Sequence, residues 1–210
     1  MNISKNIHTF IGCDSDYAES RIAIFGAPFD STTSYRPGAR FASSAMRNES
    51  YGIETYSPYQ DKDLLDAEIF DCGDLELCFG SPESALNDIE KMTENIISDG
   101  KLPIMIGGEH LVTLGAVRAA VKKYPDLRIV HFDAHADLRD DYLGQKLSHA
   151  CVMRRCHELL GDGKIFQFGI RSGDREEFLW GREHVYTNRF DFSGIERIKE
   201  KTGDRPVYFT

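Results

Sequence analysis

Arg128-Ile129-Val130-His131-Phe132-Asp133-Ala134-His135-Ala136-Asp137 is an apolar run leading into two carboxylates and an imidazole at alternate positions. Along an extended backbone successive side chains point to opposite faces, so Asp133, His135 and Asp137 can converge on one side. Carboxylates are rarely buried without a partner. A divalent cation at the strand end supplies one: imidazole nitrogen and carboxylate oxygen both ligate such an ion, and a carboxylate-rich set suits a hard metal such as manganese. The plainer reading is a polar turn after a core strand, with Asp137 capping a helix. His131 shares the parity of Asp133 but lies one step deeper in the apolar run, and reads as a core histidine bonded to a neighbour.

Working outward, Leu102 to Ile106 is another apolar strand, followed by Gly107-Gly108-Glu109-His110 and a helix from Leu111 to Tyr124. Two glycines let a backbone turn tightly and approach a ligand closely. Alone, G-G-x-H reads sooner as a glycine turn with a surface histidine than as a ligand site. Beside the Asp133 stretch it gains weight, because successive strand–helix junctions of a parallel sheet can meet at one edge. Downstream, a polar loop from Leu138 to Ser148 leads to His149 and a helix through Leu160. A loop histidine titrates near neutral pH and suits proton transfer, or is simply a surface residue at a helix start. Ile165 to Ile170 is a further strand, with Arg171-Ser172-Gly173-Asp174 after it.

Nearer the start, Arg21 to Phe25 reads as a buried strand ended by Gly26-Ala27-Pro28, and Phe29 to Arg40 as a loop. A helix is expected from Ala42 to Tyr51 and a weaker strand over Glu68 to Cys72, with Asp71 and Asp74 only making the turn that follows. Ser81 caps a helix with Pro82 at its first position, and Gly100 stops it. A short helix is expected over Gly194 to Lys201. Asp140 and Asp141 read as loop solvation, and Cys151 and Cys156 as packing residues. Strands alternating with helices predict an α/β fold with a mainly parallel central sheet, whose sites lie beyond the carboxyl ends of the strands.

The 210 residues, 41% hydrophobic and 28% charged, suit a single globular domain. A net charge of -9 with no basic run argues against nucleic acid or an anionic membrane as partner and is compatible with a cationic substrate. Met1 to Asn6 lacks the apolar core of a signal peptide, and no run is long enough to span a bilayer. Five cysteines without a C-x-x-C pair read as reduced thiols in a cytoplasmic protein.

Together, G-G-E-H (Gly107 to His110) and D-A-H-A-D (Asp133 to Asp137) resemble the ureohydrolases, the arginase and agmatinase family. Gly26-Ala27-Pro28-Phe29-Asp30, Arg36-Pro37-Gly38-Ala39-Arg40, Ser148-His149 and Phe168-Gly169-Ile170-Arg171 extend the match, and the segments around Asp30 and Arg36 look more like agmatinases than arginases. The resemblance implies a three-layer α/β/α fold and two manganese ions bridged by hydroxide. Carried over residue by residue, His110 looks like a ligand of one ion and His135 of the other. Asp133 looks like the bridging carboxylate, and Asp137 a ligand of the ion that His110 holds. His149 matches the histidine that passes a proton to the departing amine. The implied activity is that of a C–N hydrolase on linear amidines, converting agmatine to putrescine and urea in polyamine biosynthesis. Arginine, guanidinobutyrate and formiminoglutamate are alternative substrates, and a non-catalytic metal-binding or interaction protein is the rival. A homo-oligomer, trimer or hexamer, is implied as well. The family's D-x-D…D-P motif, with two more aspartate ligands and a guanidinium-binding acid, is expected beyond Thr210, so the domain is read as incomplete at its C-terminus.

Overall fold

The computed structural model describes residues 6–210. The reading of Met1 to Asn6 falls largely on residues 1–5, outside the described ones. The chain divides into two compact units, Met1–Val112 and Thr113–Thr210.

The first unit holds β1 (Ile22–Ala27), α1 (Ala42–Ser50), a small hairpin of β2 (Tyr56–Ser57) and β3 (Lys62–Asp63), β4 (Ile69–Asp74), α2 (Pro82–Ser98) and β5 (Leu102–Gly107). Its parallel sheet runs β4-β1-β5. The central strand is the most apolar and the most buried: Ala23, Phe25 and Ala27 have no exposed surface. Pro103, which cannot donate to a ladder, sits on an edge strand, where that loss is tolerated. Ser81 caps α2 as its sequence predicts, accepting the Ser84 N–H at 3.2 Å, with Pro82 at the first helical position.

Asp71 and Asp74 do more than make a turn. The buried Arg47 of α1 donates from Nε and Nη2 to the two carboxylate oxygens of Asp71 at 2.8 and 2.9 Å, and also reaches Asp74. A buried carboxylate needs such a partner.

The second unit holds α3 (Val112–Lys123, starting at the boundary), β6 (Arg128–Phe132), α4 (Val152–Leu160), β7 (Ile165–Ile170), α5 (Arg175–His184), β8 (Tyr186–Arg189), α6 (Ile198–Thr202) and β9 (Val207–Phe209). Its parallel sheet runs β8-β7-β6-β9, with Val130 paired to Phe166 on one side and Phe209 on the other. Val130, Phe166 and Phe168 form one cluster of its core, with Ile198 and Val207 against it.

The fold class is the α/β one expected, with mainly parallel sheets. Successive strands β5 and β6 nevertheless hydrogen-bond in different sheets. Helix α5 and strand β8 were not expected. The signal for α5 was present as a capping box: Asp174 accepts the Glu177 N–H at 2.9 Å while the Glu177 carboxylate accepts the Asp174 N–H at 2.8 Å. Asp140 is not merely solvated, since Arg155 donates to its carboxylate at 2.9 Å. Cys151 and Cys156 are fully buried, and all five cysteines are free thiols. Among the described residues no helix is long and apolar enough to cross a membrane.

Candidate metal centre

Strand β6 delivers its charged extension to a loop held by main chain. Phe168 O accepts the Asp133 N–H at 3.2 Å, Ala134 O accepts the Arg171 and Ser172 N–H groups at 2.8 Å each, and Ser172 O accepts the Ala136 N–H at 3.0 Å. The β6 end and the Arg171 loop are therefore brought together by backbone hydrogen bonds. Gly169 permits it with φ at +79°, and a Cβ there would lie 3.3 Å from Asp133 O.

Strand alternation does not continue through the loop. The strand stops at Phe132, and Asp137 adopts φ of +52°, uncommon for a side-chain-bearing residue. Its backbone carbonyl accepts N–H groups from Met153 and Arg154 at 3.0 and 3.3 Å, at the start of α4. Two N–H groups of the first turn of α4 are satisfied in this way from outside the helix, whose own N-cap residue is Cys151.

Within this unit, His131, Asp133 and Asp137 each offer a ligand atom, and those atoms lie within 4.8 Å of one another. The two carboxylates that meet here are hard oxygen ligands suited to a divalent cation, so they fit the metal that the sequence implies. His135 stands differently. Its side chain is 64% exposed, with Nδ1 3.4 Å from Asp133 Oδ1, while the same oxygen accepts the His135 N–H at 3.0 Å.

His131 is the core histidine the sequence suggests, with no exposed surface. Its protonation follows from a chain of partners. Gln167 Nε2 lies 2.8 Å from Ala136 O, a pure acceptor, which fixes that atom as the amide nitrogen. Gln167 Oε1 accepts from Thr187 Oγ1 at 2.9 Å, as that orientation requires. The second amide hydrogen is then donated to His131 Nδ1 at 3.0 Å. The ring proton resides on Nε2, which faces Asp133 Oδ2 at 3.3 Å. In this arrangement His131 donates to Asp133 and orients it, as outer partners of metal ligands do. Gln167 was missed at the sequence level. Its signal was one polar residue inside Ile165-Phe166-Gln167-Phe168, where burial demands a partner.

His110 lies in the first unit, in the turn between β5 and α3. Gly108 before it cannot carry a side chain, since a Cβ would come within 2.0 Å of Phe29 O. Glu109 N–H donates to that carbonyl at 2.7 Å, and the buried Glu109 carboxylate accepts from Thr32 N–H at 3.0 Å and Thr32 Oγ1 at 2.7 Å. G-G-E-H therefore ties its turn to the loop after β1. In that loop Asp30 is buried. Burial pushes its carboxyl up, but Arg40 and the N–H groups of Arg40 and Gly38 outweigh this and hold it below the usual value.

His149 opens a short 3-10 turn, His149–Cys151, ahead of α4. Its Nδ1 is 3.4 Å from Ser148 Oγ, and its ring meets Tyr142 edge-on at 5.7 Å. The loop before it is anchored by Glu177, which accepts the Leu138 N–H at 3.0 Å and contacts Arg139 at 3.3 Å. Burial raises the Glu177 carboxyl above its usual value, against the N–H groups of Asp174 and Leu138.

The family model described as the arginase family matches residues 20–210. An agmatinase of Bacillus subtilis is 46% identical over 205 residues, covering 96% of this chain and 70% of the relative. Among solved structures, a Clostridium difficile protein described as a candidate agmatinase is 51% identical with a TM-score of 0.89, covering 92% of this chain and 71% of that one. The agmatine ureohydrolase of Thermoplasma volcanium is 38% identical with a TM-score of 0.87, covering 97% and 70%. Matched in sequence from near its first strand to Thr210, and in fold at these scores, the chain belongs to the arginase family of ureohydrolases.

Proposed function

We propose that this agmatinase-type ureohydrolase hydrolyses agmatine to putrescine and urea with two manganese ions held by His110, Asp133, His135 and Asp137. The observation that carries the reading is the meeting of Asp133 and Asp137 donors at the end of β6 in a chain 46% identical to an agmatinase. Asp133 would help hold both ions, steadied by the Nε2 proton of His131. When bound, such a metal pair supplies Lewis acidity and turns water into a nucleophile at neutral pH. That suits a guanidinium, which is resonance-stabilised and a poor electrophile. A C–O bond forms at the guanidinium carbon and the C–N bond to the aminobutyl chain breaks. His149 gives the departing nitrogen a proton, so that it leaves as an amine rather than an amide anion. The chain's charge of -9 favours the approach of a cationic substrate. The product places the enzyme in polyamine biosynthesis. Five free thiols support a reducing, cytoplasmic setting, and the family resemblance supports a homo-oligomer.

Urea release from agmatine, arginine, guanidinobutyrate and formiminoglutamate, measured with manganese present, tests this. Agmatine is expected to give the highest kcat/KM. Preference for another of the four would reassign the substrate, and absence of turnover on all would favour a non-catalytic metal-binding protein.

A further inference from the structure

A second group of ligand-type side chains lies away from the D-x-H-x-D loop, at the opposite end of β7. His157 of α4, Asp162 of the following loop and His184 at the end of α5 place one ligand atom each within 4.8 Å of one another. Because β7 spans six residues, this group is roughly 20 Å of strand from the Asp133 loop.

We propose that His157, Asp162 and His184 form a separate site for an imidazole-preferring divalent ion of the zinc type, stapling the ends of α4 and α5. Both rings aim a nitrogen at one carboxylate oxygen: His157 Nε2 is 2.7 Å and His184 Nδ1 2.6 Å from Asp162 Oδ1. Two imidazoles and a carboxylate, with a fourth position left to water, are an open zinc ligand set. Zinc–ligand bonds of about 2.0–2.1 Å put tetrahedral ligands roughly 3.3 Å apart, so the group has only to open slightly. The loop permits that. Asp162 is flanked by Gly161 and Gly163 with φ of +86° and +69°, and its side chain is 67% exposed.

The rings are pinned in advance. Trp180 stacks on His184 at 4.2 Å and 21°, and meets His157 edge-on at 4.7 Å and 89°. The Arg154 guanidinium lies 3.7 Å from the Trp180 ring centroid. Two helices also end here, since α4 closes at Leu160 and His184 is the last residue of α5. The negative ends of both dipoles favour a cation at this place. With two imidazoles to one carboxylate, the set is softer than the Asp133 loop and discriminates toward zinc, copper or nickel rather than manganese.

Trp180 is the single tryptophan of the chain and serves as the reporter. The metal-stripped protein is titrated with Cu2+ while Trp180 fluorescence is read, then with Zn2+ as competitor, in the wild type, His157→Gln and Asp162→Asn. The exposed Asp162 gives a variant that leaves the core untouched. Saturable quenching at micromolar Cu2+, reversed by Zn2+, is expected in the wild type. Affinity should fall at least about 10-fold in both variants, the loss that even outer partners of a ligand produce. Zn2+ should raise the melting temperature of the wild type more than that of either variant. Quenching only at millimolar Cu2+, or undiminished in both variants, would overturn the site.

Discussion

His131 and Asp133 face each other at the end of β6, with Nε2 3.3 Å from Oδ2 and the imidazole wholly buried. Because Gln167 donates to the far nitrogen of the same ring, the near nitrogen carries the proton. The buried histidine is therefore a donor that holds a candidate metal ligand in place. Gln167→Leu should remove the tautomer's anchor without touching Asp133, Asp137 or His135. Manganese affinity should fall about 10–100-fold, the range for outer partners of metal ligands. Competition with a fluorescent chelator measures it, and unchanged affinity would remove His131 from this role.

Gly108 allows the chain to pass Phe29 at a distance no other residue permits. Gly108→Ala should cost about 1–3 kcal/mol through overpacking, or more if the backbone cannot yield. The denaturant midpoint measures this. Since His110 follows two residues later, metal content should fall as well.

The Asp30 carboxyl sits below its usual value in the folded chain because Arg40 and two N–H groups outweigh its burial. A depressed folded value means that this pairing contributes fully above the unfolded value of about 3.9 and is lost as pH falls through the lower folded value. Stability of the wild type should thus decline on acidification through that window. Asp30→Asn should be less stable at neutral pH and show a shallower decline there. Denaturant melts from pH 7 downward test it, and parallel curves would contradict the assignment.

His149 stands at the start of α4 with Tyr142 and Ser148 against its ring. If it protonates the departing amine, His149→Ala should lower kcat by about 10²–10⁴-fold, the range of general acid–base groups. Bound metal should stay unchanged. Partial rescue by added imidazole would separate proton transfer from a structural loss.

Much of this arrangement was legible in the residues. The run Ile129-Val130 announced β6, Ser81-Pro82 announced α2, and the motifs G-G-E-H and D-A-H-A-D carried the resemblance to the family. What escaped was set by tertiary context. The parity argument placed Asp133, His135 and Asp137 on one face of an extended strand. The backbone instead turns at Asp137 into the left-handed region, so its burial owes nothing to alternation. Arg47 reads as an ordinary helix arginine, and only the fold reveals that it neutralises Asp71. Helix α5 carries an Asp174–Glu177 capping box but only a weak apolar stripe, with just Glu177 and Gly181 buried, so periodicity alone did not show it.

The central claim is that Asp133 holds both manganese ions. Asp133→Asn keeps the side chain's shape while removing its charge and one ligating oxygen. Metal stoichiometry after dialysis, measured beside a thermal melt of the metal-free protein, tests the claim directly. Asp133→Asn is expected to lose ions from both positions, whereas His110→Asn and His135→Asn each chiefly empty one, and the metal-free melts should stay close to wild type. An Asp133→Asn protein that retains wild-type metal content and near-normal urea release would contradict the account.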